Sequence, residues 1–385
     1  MHMDPLLPTI AGIALTVLIL GALLQRFKQP PILGYIIAGI LLGPSVLGVV
    51  NDIESMTRFG SIGVLLLLFF VGMEVSLPRL LTNWRIIVLG TLLQIVLSVG
   101  FVLLVGNFLN WPLGRGILLG FVISLSSTAV VIKILQGLKQ LESEVGRDVL
   151  GILLVQDMAI IPMLIIINFY SGTSPENMDI VLQICGAILF LLLIVWIVRH
   201  KELKFPFSQV MKRDSELQVF SALFICLSLA LVSDFFHLST ALGAFIAGIL
   251  VASAKETVWV HRNLEPFHIL FLSFFFVSIG FLLDIDFLLN NLATILMLVG
   301  AAFILNTSIN AGILRIFKIP WRRSLYTGAI LAQIGEFSFV LASVGWQTKM
   351  ITQTGYQLSI AVITLTLLLS PFWILLFGRL TKQST

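Results

Sequence analysis

Two carboxylates stand where a chain crossing lipid can least tolerate them. Asp157 lies in Leu153-Leu154-Val155-Gln156-Asp157-Met158-Ala159-Ile160-Ile161-Pro162, and Glu336 lies in Gln333-Ile334-Gly335-Glu336-Phe337-Ser338, each near the middle of a long apolar stretch. A charge at the bilayer centre costs about 2.5–3.5 kcal/mol even on a lenient insertion scale, so both residues are expected to face a wet or protein-lined interior and to act there. One carboxylate beside the neutral amide of Gln156 suits a single monovalent cation, because divalent sites gather more charge. A bare carboxylate is costly in lipid, so a mobile carrier crosses readily only when Asp157 holds a proton or a cation. That competition couples the two flows in opposite directions.

Ser124-Leu125-Ser126-Ser127-Thr128 interrupts a second apolar run much as Gln333–Ser338 interrupts its own. A helix broken in mid-membrane frees carbonyl and hydroxyl oxygens, which can replace a cation's hydration shell where they face protein or a cavity. The plainer reading of the serines and threonine is bonding back to the preceding turn, and of the two carboxyls, protonated glue between helices. The depth these segments share with Asp157 favours the ion site.

The elements that must hold these residues are transmembrane helices. Of 385 residues 58% are hydrophobic and 11% charged, too few polar groups to clothe a water-facing surface. The apolar runs are continuous, unlike the alternating segments of outer-membrane barrels, and long enough to cross a hydrocarbon layer of roughly 30 Å. Thirteen spans are expected, near 6–24, 31–49, 60–75, 86–109, 116–135, 149–170, 180–198, 217–235, 240–254, 267–285, 289–317, 324–346 and 356–377. Cys185 and Cys226 fall inside such runs and read as buried thiols. No His, Cys or carboxylate cluster has catalytic or metal spacing, which argues against an enzyme, and the net charge of +4 follows from loop lysines and arginines rather than a nucleic-acid surface.

Loop charge tests the count. Alternate loops hold Arg26, Lys28, Arg79, Arg85, Lys133, Lys139, Arg147, Arg199, Lys201, Lys204, Lys212, Arg213, Lys255, Arg262, Arg315, Lys318, Arg322, Arg323, Arg379 and Lys382, whereas the other set holds only Arg58, Arg115 and Lys349, accounting for all 23 basic residues. A missed span would have mixed the two sets, and the bias predicts an outside N-terminus and a cytoplasmic C-terminus. Arg26 and Lys28 follow the first run instead of preceding it, the reverse of a signal peptide.

An internal repeat is also legible. Leu33-Gly34-Tyr35-Ile36-Ile37-Ala38-Gly39-Ile40-Leu41 recurs as Leu242-Gly243-Ala244-Phe245-Ile246-Ala247-Gly248-Ile249-Leu250, an offset of 209, and Phe69-Phe70-Val71 recurs as Phe275-Phe276-Val277, an offset of 206. Seven spans separate the copies, so the second enters the membrane from the opposite side, as in inverted-repeat transporters. The expected organisation is one transporter unit over 1–385, with repeat 1 near 6–170, a linker helix near 180–198 and repeat 2 near 217–377.

Taken together, Pro31-Ile32-Leu33-Gly34-Tyr35 with Gly39 and Gly43-Pro44, Leu125-Ser126-Ser127-Thr128-Ala129, Gln156-Asp157 before Pro162, and Gly335-Glu336-Phe337 resemble the monovalent cation:proton antiporter-2 family, and within it the Kef-type potassium/proton antiporters. The resemblance implies an all-α polytopic membrane fold like that of sodium/proton antiporters, in which two crossed, broken helices, here the fifth and twelfth spans, move as an elevator within a homodimer. It assigns the ion-binding aspartate to Asp157, places Gln156, Ser126, Ser127, Thr128 and Glu336 at motif positions around it with Gln333 nearby, and points to potassium at Asp157, Gln156, Ser127 and Thr128. It further implies no cofactor, only potassium and protons as transported ions, and a prokaryotic inner membrane. Asn306 stands where relatives often carry a basic residue, and the nucleotide-binding regulatory domain of many Kef-type chains has no counterpart before Thr385. Sodium and rubidium are further ions such a potassium antiporter would accept; the other readings are a sodium/proton antiporter and, from different classes, a cation channel or a non-transporting scaffold.

Overall fold

The computed structural model describes residues 6–26, 29, 31–49, 58, 62–63, 65–66, 68–70, 72–73, 85–170, 177–199, 214–236, 238, 240–253 and 258–381. Much of the third expected span, Glu74, and the loop cations Lys28, Arg79, Lys201, Lys204, Lys212, Arg213, Lys255 and Lys382 lie outside them. The described chain is helical: α1 (Leu6–Arg26), α2 (Pro31–Leu42), α3 (Gly90–Phe108, entered through a π-type turn at Arg85–Leu89), α4 (Leu113–Ser124), α5 (Thr128–Gly137), α6 (Glu144–Tyr170), α7 (Asn177–Arg199), α8 (Ser215–Phe235), α9 (Thr240–Ala252), α10 (Val258–Phe281), α11 (Ile285–Asn290), α12 (Leu292–Ile316), α13 (Trp321–Ile330), α14 (Phe337–Gln347) and α15 (Gln353–Thr381).

Several expected boundaries move. The second span ends at Leu42 in a turn over 43–47. The tenth begins at Val258 and runs through Pro266, because a proline in a helix forfeits one backbone bond without ending it. It stops at Phe281, where Asp284 accepts from Phe287 N (2.9 Å) and caps the short α11. The fifth and twelfth spans are each two helices, α4 with α5 and α13 with α14.

Among the described residues five helical stretches, Arg85–Phe108, Glu216–Phe235, Leu264–Phe281, Leu292–Ile316 and Gln353–Thr381, are long and apolar enough to cross a bilayer. Helix α3 shows how they are oriented. Its buried residues, Thr91, Gln94, Ile95, Ser98 and Val102, recur every three or four positions, while Leu92, Val96, Phe101, Leu104 and Phe108 point outward. Polar groups inside and large apolar groups outside suit a lipid solvent, where an exposed leucine costs nothing and a buried amide needs protein partners.

The chain divides into two compact units. One comprises residues 1–53, 83–174 and 277–385, and the other 54–82 and 175–276. In the second unit Leu66, Phe69 and Phe70 pack with Ala222 and Cys226 of α8, Ala244, Ala247 and Val251 of α9, and Leu264 of α10. Small residues on α9 allow close approach there. A methyl on Gly248 would strike the Phe69 carbonyl, and one on Gly72 would strike that of Phe245. Within the first unit Gly39 meets the Val277 carbonyl in the same way and Gly280 that of Ile36. Gly39 and Gly248 are 209 residues apart and Gly72 and Gly280 are 208 apart.

The first unit carries a longer correspondence at that spacing. Asn110, with φ 53°, precedes Pro112 and α4, while Lys318, with φ 66°, precedes Pro320 and α13. Helix α5 ends ahead of Lys139 (φ 55°) and α14 ahead of Lys349 (φ 60°), so the four left-handed non-glycine residues described form two pairs, 208 and 210 residues apart. Between them the breaks meet: Ser126 and Ile334, also 208 apart, form an antiparallel bridge in which Gly335 N donates to Leu125 O at 2.8 Å.

Candidate functional site

Asp157 is the central residue of the 27-residue helix α6, which passes the bridge formed by the two breaks. Its carboxyl is half-buried and accepts a hydrogen bond from Thr128 Oγ1 at 2.9 Å. Thr128 is the first residue of α5, and Ser127 caps that helix by accepting from Val130 N at 3.2 Å. The cap lets α5 begin here, so its N-terminal end, which favours negative charge, opens beside Asp157.

Glu336, 208 residues after Thr128, immediately precedes α14. It is buried, and its Oε1 accepts from Ala129 N at 3.4 Å. It is close enough to Asp157 for the two carboxyls to interact electrostatically. The two carboxylates expected from sequence are therefore together, on either side of the α5 N-terminus. Glu336 Oε2, Gln333 Oε1 and Asn306 Oδ1 are buried oxygens with no hydrogen-bond donor.

The carbonyl oxygens of the first break and of the helical turn before it, expected to serve the cation, accept hydrogen bonds from within the protein. Ser338 Oγ reaches Val122 O (2.7 Å), Asn306 Nδ2 reaches Ile123 O (3.0 Å), Gln94 Nε2 reaches Ser124 O (2.8 Å) and Gly335 N takes Leu125 O. Gln333 Nε2 lies 3.5 Å from Ser127 O, and the Ser126 hydroxyl donates to Leu331 O at 2.7 Å. Gln156, expected as an ion ligand, turns its amide oxygen to Ser126 N at 3.0 Å. The reason is the low dielectric: an orphaned backbone group in lipid costs more than the protein can leave unpaid, so nearby side chains close on it.

The side chains doing so on α3 and α12, Gln94 and Asn306, were not expected at the site in that role. Their signal is legible afterwards, since each is a buried amide within a predominantly apolar helix, Asn306 with Asn310 one turn on. Asn306 Nδ2 bridges both breaks, reaching Ala332 O at 3.1 Å as well as Ile123 O. A second missed group ties α6 to α13 at one end: buried Asp148 and exposed Glu144 both pair with Arg323, and Tyr326 donates to Gln140 Oε1 at 3.0 Å.

Residues 13–377 match the family model described as "Sodium/hydrogen exchanger, transmembrane". The chain belongs to this family. Among curated relatives it is 37% identical over 378 residues to the "Iron transporter MagA" of Paramagnetospirillum magneticum, covering 98% of this chain and 87% of that protein. It is 30% identical over 371 residues to the "Glutathione-regulated potassium-efflux system protein KefC" of Escherichia coli O81, covering 94% of this chain but only 58% of the relative's length. The chain is thus a Kef-type member of the monovalent cation:proton antiporter-2 branch, an integral membrane protein of an antiporter family and not of an enzyme family. Its fold is that of the sodium proton antiporter MjNhaP1 from Methanocaldococcus jannaschii, with a TM-score of 0.70 over 99% of both chains at 18% identity.

Proposed function

We propose that this exchanger-family member is a potassium/proton antiporter in which Asp157 carries either ion in turn. The observation that carries the reading is the partly buried Asp157 carboxyl, bonded to Thr128 where a broken helix restarts and within electrostatic reach of the second carboxyl, Glu336. A proton or a monovalent cation neutralises Asp157 equally well, so each displaces the other and the carrier crosses only when loaded. Thr128, Ser127, Glu336 and Gln333 supply oxygen atoms around it, with Gln156 and Ser126 holding the break. Potassium is the preferred ion, on the Gln-Asp pair and on the potassium efflux named for the Escherichia coli relative; sodium and rubidium are the competitors to measure against.

In this reading the protein spans the membrane thirteen times as an inverted repeat, residues near 6–170 and 217–377, with α4–α5 and α13–α14 crossing at the Ser126–Ile334 bridge and moving as an elevator within a homodimer. The paired left-handed residues at a spacing of 208–210 support the repeat. The distribution of basic residues supports an outside N-terminus and a cytoplasmic C-terminus, and the Kef-type resemblance a prokaryotic inner membrane. Iron, named for the MagA relative, is the second reading. Among the described residues no three His, Cys, Asp or Glu side chains converge as a transition-metal donor set, which favours the monovalent ion.

The test is reconstitution into proteoliposomes with a pH-reporting dye inside, imposing potassium, sodium or ferrous gradients on the wild type and Asp157→Asn. Potassium-driven proton movement lost in the variant supports the proposal. Equal sodium and potassium rates remove the selectivity, and active iron uptake without proton exchange replaces the reading.

A further inference from the structure

The polar contacts at the first break are not evenly shared. Ser124 O, the last carbonyl of α4, takes two donors, Gln94 Nε2 at 2.8 Å and Gln156 Nε2 at 3.1 Å. Gln156 also donates to Gln94 Oε1 at 3.1 Å and accepts from Ser126 N at 3.0 Å. The two glutamines, 1% and 0% exposed, are thereby closed on each other and on both sides of the break. At the second break the equivalent carbonyl, Ala332 O, 208 residues on, is capped by the single amide of Asn306, and Ile334 N donates to the hydroxyl of Thr366 at 3.2 Å. Each break is capped from a neighbouring helix, but only the one bearing Thr128 is held by a pair of amides.

That pair spans the segments that set the ion site. Gln156 adjoins Asp157 on α6, and Ser126 lies two residues before Thr128 at the start of α5. The brace from α3 through Gln156 to Ser126 therefore runs parallel to the 2.9 Å bond between Thr128 and Asp157. Gln94 turns its amide nitrogen to Ser124 O and its oxygen to Gln156, so it acts through its partner. Potassium and sodium differ in radius by a few tenths of an ångström, and a shift of that size between two oxygen ligands changes which ion is held.

We infer that Gln94 is a positioning residue of the cation site, acting through Gln156 to fix the spacing of Thr128 and Asp157 and so the apparent affinity and the choice of monovalent ion. This rests on the antiporter reading. A purely structural cap would contribute to folding and to maximal rate but leave ion preference untouched, which separates the two roles.

The experiment is rubidium counterflow in proteoliposomes at equal pH on both sides, competed with potassium and sodium. It compares wild type, Gln94→Met, which keeps the volume without the amide, and Gln94→Asn, which is one methylene short of reaching both partners. Each variant is expected to raise the apparent KM for rubidium about tenfold, to hold the maximal rate within about threefold, and to narrow the preference for potassium over sodium. An unchanged KM and preference, or a fall in maximal rate alone, overturns the inference. If Gln94→Met does not purify as folded protein, the same readings on Gln94→Asn decide. A wild type without counterflow or cation-driven proton flux overturns the antiporter reading and this inference with it, whereas an active wild type with wild-type-like variants overturns the inference alone.

Discussion

Thr128 Oγ1 donates to Asp157 Oδ2 across 2.9 Å, joining the first residue of α5 to the central residue of α6. A hydroxyl that donates to a carboxylate can turn its lone pairs to a cation without leaving its place, so this contact belongs to both the empty and the loaded site. Removing either partner has different consequences. Asp157→Asn removes the exchangeable charge, and proton flux driven by potassium is expected to fall by at least about a hundredfold while the protein remains monodisperse, because a neutral amide in the same place costs the fold nothing.

Thr128→Val keeps shape and removes one oxygen. The expected result is a three- to tenfold rise in apparent KM for the cation, about the net value of one ordinary hydrogen bond, with Thr128→Ser close to wild type. The measurement is the concentration dependence of dye-reported proton movement in proteoliposomes.

Glu336 separates charge from hydrogen bonding. Its Oε1 accepts from Ala129 N, a role that Gln fills equally well, whereas its charge near Asp157 has no neutral substitute. Glu336→Gln should retain the thermal midpoint of the purified protein and lose transport by roughly tenfold or more. Glu336→Ala should lose both, since a buried backbone amide left without its acceptor costs about 1–3 kcal/mol. Equal transport by the Gln variant and the wild type would make Glu336 a structural acceptor only.

Much of this was legible in the sequence, for physical reasons that also set the limit. Asp157 and Glu336 stand out because lipid makes an ionisable residue expensive, and the two breaks lie at nearly the spacing that separates Gly39 from Gly248. What the sequence concealed was the destination of the freed carbonyls. Read one segment at a time, Ser124–Thr128 offers a row of vacant oxygens. In the fold Gln94 and Gln156 close on Ser124 O, while Asn306 and Ser338 take Ile123 O and Val122 O just before it. Those contacts span sequence separations of 30 to 216 residues, and no local spacing rule encodes them.

Gly335 tests the bridge between the breaks. A methyl built on it would enter the backbone of Ser126 and Ser127, atoms that have no side-chain freedom to yield. Gly335→Ala is therefore expected to lower the thermal midpoint by an amount corresponding to about 1–3 kcal/mol and to abolish transport even in the folded fraction, because the bridge also carries the bond from Gly335 N to Leu125 O. Fluorescence-detected size exclusion after heating gives the first reading and counterflow the second.

Arg323 joins α13 to α6 through two carboxylates of unequal burial, Glu144 with 71% and Asp148 with 3% of its side chain exposed. The exposed half is worth little, so Glu144→Gln should change stability by no more than about 0.5 kcal/mol. Removing the guanidinium from the buried half is another matter. Arg323→Met leaves a charge in a site built to neutralise it and should cost about 3 kcal/mol, whereas Arg323→Met combined with Asp148→Leu should recover most of that loss, since an apolar pair of similar volume replaces a buried ion pair at little cost. The double-mutant cycle in thermal midpoint reads the coupling directly. Because Asp148 lies nine residues before Asp157 on the same helix, and Arg323 on the helix leading to Glu336, the single variants should also lower the transport rate in proportion to the loss of midpoint. A fall in stability with no fall in rate would show that the two carboxylates of the site keep their spacing without this tie.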